Sequence, residues 1–259
     1  MVISFEKVAK IFGKTRAVDD VSVGFKEGNI SVVVGDHGSG KSVLLRLLAG
    51  ELKPDSGRLV AKRGISKGFI YENSCFFPGL KSSDICTLWM LLYRGFDIKR
   101  FRSLLSEAEI AENSRIHNLS DTMKNWFGIS LLLASNADIM IFDEPLLNLD
   151  SGMKARFLEL LDETAKEGKT VVVSSKGIED FEKSAAFVVV LNNGSLVLAG
   201  ETEKLLASHR LFPGASTISP DFKVIGPVLN ERLIETEDNI GRKAALKDIV
   251  SGYINGSSS

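Results

Sequence analysis

The chain's first chemistry lies close to its N-terminus. Within NISVVVGDHGSGKSVLLRLLAG, Asn29 to Gly50, the residues Gly35, Gly40, Lys41 and Ser42 fit G-x-x-x-x-G-K-[ST], the phosphate-binding loop pattern. Small residues are needed there because successive backbone N–H groups must turn inward around phosphate oxygens. The N-terminus of a following helix adds partial positive charge. Asp36, His37, Gly38 and Ser39 complete the loop. Lys41 is placed to reach β- and γ-phosphates, and the Ser42 hydroxyl to ligate Mg²⁺. The same glycines would also serve a purely structural turn, but a β-branched run before them and an apolar-periodic segment after them favour a nucleotide site.

Hydrolysis of a nucleotide needs two more groups, a carboxylate for Mg²⁺ and a group that positions the attacking water. The run Ile139-Met140-Ile141-Phe142 ends in Asp143, a suitable Mg²⁺ partner, followed by Glu144, the candidate base. Paired acids after a strand are also ordinary solvated loop residues, and the upstream phosphate loop weighs against that reading.

Several elements must position these groups. Val2 to Phe12 and Ala17 to Phe25 alternate as half-buried antiparallel strands, joined at Gly13-Lys14-Thr15. Ile30 to Val34 is a buried strand and Val43 to Leu48 the helix after the loop, followed by a turn at Lys53 to Gly57 and a short strand, Arg58 to Ala61. Gly68 to Tyr71 reads as a strand, Ser83 to Tyr93 and Ile98 to Ile110 as helices, and Ser120 as the cap of a helix to Ala134. Asp138 to Phe142 is a strand, Gly152 to Ala165 an amphipathic helix, and Thr170 to Ser174 and Ala186 to Leu191 are strands. Asn192-Asn193-Gly194 turns the chain into a last strand, Ser195 to Ala199. Strands alternating with helices imply a mainly parallel sheet. Beyond it, Leu211 to Pro220 reads as irregular, Phe222 to Ile234 as strand interrupted at Gly226-Pro227, and Lys243 to Ile254 as a helix with Leu246, Ile249, Val250 and Tyr253 on one face. Asn255 to Ser259 reads as a disordered tail.

The 259 residues carry 32 basic and 33 acidic side chains, so there is no global electrostatic case for nucleic acid as partner. Cys75 and Cys86 lack metal-ligand spacing and read as buried reduced thiols of a cytoplasmic protein. No apolar run approaches the ~20 residues needed to span a bilayer, and the N-terminus lacks a signal-peptide pattern. Any role at a membrane would run through a partner.

Taken together, these motifs resemble the ATP-binding-cassette (ABC) ATPases over about residues 1–205. The order matches: Phe12 near the start, the phosphate loop, PDSG, a helical insert, a signature-like LSDTMKN from Leu119, and IMIFDEPLLNLD. The resemblance implies an α/β fold: a P-loop NTPase core with a mainly parallel sheet, an antiparallel β subdomain and a helical insert at about 80–130. A C-terminal appendage over 206–259 would follow. It implies ATP and Mg²⁺ as ligands, with Phe12 stacking on adenine or serving as a strand's core aromatic. Glu72 would touch Mg²⁺ or water and link to a membrane domain. Ser120 would contact phosphate across a dimer, and Asp150 would lie in the loop that crosses to the second subunit. Phe76, Phe77, Trp89 and Tyr93 would line a groove for a transporter helix or pack the insert's core. Integral-membrane subunits and a second ABC ATPase, in a homodimer or heterodimer, are the implied partners. The LSxxM form resembles exporter subunits with separate membrane polypeptides, on the cytoplasmic face of a membrane.

Two positions depart from the family pattern. Thr122, preceded by Asp121, replaces the signature glycine, adding a β-branched side chain and a like charge near an anion. Lys176 stands where the family has a switch histidine; an ammonium only donates hydrogen bonds, and either holds the γ-phosphate as a point charge or is a solvated loop lysine. His37 shapes the loop rather than catalysing. These departures imply slow turnover as a homodimer or completion of the site by a partner. Two competing readings are a non-hydrolysing regulatory nucleotide binder and a soluble ABC ATPase of translation or DNA repair.

Overall fold

The computed structural model describes residues 1–72, 76–214, 222–236, 238 and 240–257. In chain order the elements are β1 (Ile3–Phe12), β2 (Thr15–Phe25), β3 (Ile30–Val34), α1 (Lys41–Ala49), β4 (Ser56–Ala61) and β5 (Lys67–Ile70). Then come α2 (Ser82–Leu92), α3 (Ile98–Glu107), α4 (Asp121–Ala134), β6 (Ile139–Phe142), α5 (Ser151–Lys166) and β7 (Thr170–Ser175). The remainder is β8 (Phe187–Asn192), β9 (Ser195–Glu201), α6 (Thr202–Ser208), β10 (His209–Pro213), β11 (Lys223–Val228), β12 (Glu231–Glu235), β13 (Arg242–Lys243) and α7 (Leu246–Gly256).

The main sheet runs β4-β1-β2-β9-β8-β3-β7-β6-β5. Its centre, β8-β3-β7-β6-β5, is parallel, and β1, β2 and β4 pair antiparallel at one side. Every residue of β3 and β6 is buried, as continuous apolar runs in a sheet covered on both faces must be. Alternate residues of β3 feed two cores. Val33 packs with Leu44, Leu45 and Leu48 of α1 and with Phe5 and Phe25 of the antiparallel strands. Val32 and Val34 pack with Trp126 and Phe127 of α4 and Phe157 of α5. Because β3, β6 and β7 are parallel neighbours, the residues after their C-terminal ends lie along one sheet edge: Gly35, Asp143 and Lys176.

The elements expected from periodicity are present with shifted ends, except that the break expected at Gly226-Pro227 falls instead at Leu229-Asn230: Gly226 and Pro227 lie inside β11 and pair with Leu233 and Arg232 of β12. The helix through Ile98 stops at Glu107 rather than Ile110, because Glu109 takes φ 55°; Ile110 stays buried and its N–H reaches Leu105 O at 2.9 Å. Cys86 is a buried free thiol, and Cys75 lies outside the described residues.

The C-terminal stretch is more ordered than its sequence suggests. Leu211 to Pro213, read as irregular, belongs to β10, which pairs with both β12 and β13; residues 215–220 of that segment lie outside the described ones. Asn255 and Gly256, read as disordered tail, are the last residues of α7, and the Asn255 amide donates to Pro227 O at 3.1 Å. Leu246, Ile249 and Val250 of α7 are buried in the same core as α4 and β8, so the C-terminal sheet is packed onto the α/β unit.

His209 sits inside this contact, 1% exposed. Its Nδ1 faces Leu205 O at 2.8 Å and therefore carries the proton, leaving Nε2 to accept from the Tyr253 hydroxyl at 3.3 Å. Burial pushes its pKa below the ordinary 6.5, against the opposing effects of the Leu205 hydrogen bond and of Glu235. The unfolded chain therefore binds this proton first as pH falls. Its contribution to stability is intact above about pH 6.5 and is lost below it, as pH falls toward the depressed folded value. The melting temperature of the wild type should drop more between about pH 7.5 and about pH 5.5 than that of His209→Gln, measured by circular dichroism. Equal drops would place the acid sensitivity elsewhere.

Candidate active site

The phosphate loop is held from behind by two distant strands. A Cβ on Gly35 would meet Leu191 O at 2.3 Å, and one on Gly40 would meet Ala17 O at 2.2 Å. Gly40, at φ 101°, ψ 2°, caps α1 at its N-terminus. The Gly194 N–H donates to Ser39 O at 3.0 Å, and Asp19 N–H donates to Gly194 O at 2.9 Å. The hairpin turn at Asn193-Gly194 and the start of β2 thus clamp the loop. Sequence reasoning read both only as sheet elements, since no local pattern ties them to residues 35–40.

Lys41 has its side chain 6% exposed. Its ammonium donates to Gly35 O at 2.6 Å and Asp36 O at 3.2 Å, and stands 3.3 Å from Glu144 Oε1. A buried ammonium with one carboxylate and two carbonyls is a charge ready to trade partners with an incoming anion. Glu144 is held in turn: its φ is 47°, and its N–H donates to Ser174 Oγ at 2.9 Å, while Ser174 Oγ donates to Asp143 Oδ1 at 2.5 Å. Ser174, the first of two serines after a valine run, orders both acids, a role its sequence context does not reveal.

A cavity of about 250 Å³ opens between these groups, lined by Ala17, residues 37–43, Glu72 and Glu144. Of the candidate residues, His37, Gly38, Ser39, Gly40, Lys41, Ser42, Glu72 and Glu144 lie on it. Ser39 Oγ is buried without a hydrogen-bond partner, an unfilled polar contact in the loop. Asp143 lies just behind, 5% exposed, with its carboxylate turned to Ser174.

The other candidates lie apart from this cavity. Phe12 is 48% exposed at the end of β1, with the Lys10 ammonium 5.6 Å from its ring centroid. Lys176 is exposed beyond β7 and does not line the cavity. Ser120 Oγ accepts from Met123 N–H at 3.2 Å and Asp150 Oδ1 from Met153 N–H at 2.9 Å, so within this chain both are helix N-caps. A second cavity, of about 650 Å³, is lined by Phe76, Phe77, His117, Asp121 and Asn148, and shares Glu72 with the first. Trp89 and Tyr93 stack on each other at 5.1 Å and do not line it.

Parallel strands ending in a glycine loop, a buried lysine and a fixed acid pair define a nucleotide-phosphate hydrolase site. Residues 18–147 match the family described as "ABC transporter", and the chain belongs to that family, whose members bind and hydrolyse ATP. It is 28% identical over 226 residues to a probable sulfate/thiosulfate import ATP-binding protein, CysA, of Chlorella vulgaris, covering 79% of this chain and 93% of that one. It is likewise 28% identical over 224 residues to the glutamine transport ATP-binding protein GlnQ of Escherichia coli K12, with the same coverage. Among solved structures, the dimeric bacterial ABC transporter cassette MJ0796 is similar at TM-score 0.68 and 25% identity, over 77% of this chain and 98% of that one.

Proposed function

We propose that this chain is the ATP-hydrolysing subunit of a multi-subunit ABC transporter, carried above all by the convergence of Lys41 and Glu144, 3.3 Å apart, on one phosphate-sized cavity. The loop N–H groups and Lys41 would hold the β- and γ-phosphates, and Glu144 would orient the attacking water. The oxygen donors Ser42 and Glu72 on the cavity and the buried carboxylate of Asp143 suit a hard cation such as Mg²⁺. Bound there, Mg²⁺ would neutralise charge developing on the phosphates. Phe12, half exposed, is free to stack on adenine.

Ser120 and Asp150 have no part in this chain's own cavity, which is consistent with roles toward a second cassette; the dimeric structural neighbour supports pairing. The sulfate/thiosulfate and glutamine relatives, matched over 93% of their lengths, are named as ATP-binding proteins of transport. No helix among the described residues is long and apolar enough to cross a membrane. The names of those relatives support peripheral attachment to separate membrane subunits at the cytoplasmic face. ATP-dependent closure of the dimer would drive those subunits through the loop around Glu72, which lies on both cavities. The export reading rests on the LSxxM signature alone, whereas the sulfate/thiosulfate relative is named an importer.

Slow turnover is part of the proposal, because Lys176 stands off the cavity and Asp121 adds charge at the signature. Phosphate release from Mg-ATP should rise per subunit with protein concentration, as a site shared by two copies requires, and exceed that of Glu144→Gln. Release equal to that blank at every concentration would favour the regulatory, non-hydrolysing reading.

A further inference from the structure

The signature threonine is engaged within its own chain. Thr122 Oγ1 donates to Asn148 O at 2.7 Å, and one turn along α4 the Asn125 amide donates to Pro145 O at 2.8 Å and Leu147 O at 2.6 Å. Three carbonyls of the segment after Glu144 are therefore taken by two side chains of one helix face. That segment is under conformational constraint at both ends, with Glu144 at φ 47° and Asn148 at φ 64°. Its other backbone bonds include Glu144 N–H to Ser174 Oγ at 2.9 Å at the start, and within the segment Leu147 N–H to Glu144 O at 3.2 Å and Leu149 N–H to Leu146 O at 3.3 Å. Non-glycine residues hold such φ values only where their surroundings impose them.

We propose that Thr122 is a positioning residue: its hydroxyl, which the family's glycine lacks, latches the Glu144-to-Asp150 segment to the start of α4 and so holds Glu144 in place. A hydroxyl spent on Asn148 is not available to a phosphate on a neighbouring cassette. Thr122 thus adds a contact from the signature to this chain's own acid-bearing segment, while Ser120 keeps its proposed role toward a second cassette. Asn125, 7% exposed, makes the other two bonds, so the test removes one of three. The inference rests on the ATPase reading above for its catalytic part only.

The test compares Thr122→Val, which keeps shape and loses the donor, with Thr122→Ser, which keeps the donor, and Thr122→Gly, which restores the family residue. Hydrogen–deuterium exchange of the 144–150 backbone is followed in nucleotide-free protein, alongside kcat and KM for ATP. The Val and Gly variants should exchange faster and lose about 3- to 10-fold in kcat with KM unchanged, the worth of one neutral hydrogen bond, while Ser behaves as wild type. Val exchanging like wild type, or Ser performing as poorly as Val, would overturn the latch. If wild type releases no phosphate above Glu144→Gln, the ATPase reading fails, and the exchange measurement alone decides the latch.

Discussion

Glu144→Gln is expected to reduce phosphate release by at least about 100-fold while tightening ATP binding by about 10-fold. The first effect follows from the proposed role of Glu144 in orienting and deprotonating water, in a loop where Ser174 and the φ of 47° fix its position. The second follows from the resting contact. Lys41, almost fully buried, has Glu144 as its carboxylate partner at 3.3 Å, and the phosphates of an arriving nucleotide must take that place. A neutral amide competes less for the ammonium and does not repel the γ-phosphate. Nucleotide titration without Mg²⁺, beside steady-state phosphate release with it, separates the two effects. Weaker binding by the Gln variant would mean that the carboxylate assists the nucleotide rather than competing with it. Lys41→Ala is the complementary case, because it removes the charge that both partners seek.

The parts of this site legible in the sequence were those whose chemistry is local. Gly35 through Ser42 carry their spacing within one stretch of eight residues, and Asp143-Glu144 follow a short apolar run that reads as a buried strand. The groups that shape the site were not legible, because each acts across the sheet. Ala17 and Gly194 press on the loop through backbone atoms, which leave no side-chain signature, and nothing in the sequence separates Ser174 from its neighbour Ser175. The same reasoning accounts for the C-terminal stretch. The short strand β10 finds its partners in β12 and β13, and Asn255 is held by Pro227, contacts that periodicity over a few residues cannot encode. Lys176 shows the opposite limit: the sequence places it after the strand and leaves open a γ-phosphate contact or a solvated loop, and in the structure it is exposed and off the cavity.

The contrast between two loop glycines tests how the antiparallel strands serve the nucleotide site. Gly38 and Gly40 both have positive φ, 79° and 101°, but a Cβ on Gly38 meets nothing within 4 Å, whereas one on Gly40 falls 2.2 Å from Ala17 O, a backbone atom of β2. Gly38→Ala should therefore lose only the left-handed strain, about 1–2 kcal/mol of stability in urea unfolding. Gly40→Ala adds a collision that no rotamer relieves, and should lose about 3–5 kcal/mol. It must also fail to bind ATP at concentrations that saturate the wild type, since moving the loop away from β2 breaks the convergence of its N–H groups and shifts the start of α1. If Gly40→Ala is as stable as Gly38→Ala and still binds, β2 yields freely and the loop holds its own shape. If it is destabilised as expected, the antiparallel strands are a wall of the phosphate site, and β1, β2 and β4 belong to the catalytic unit as directly as β3 does.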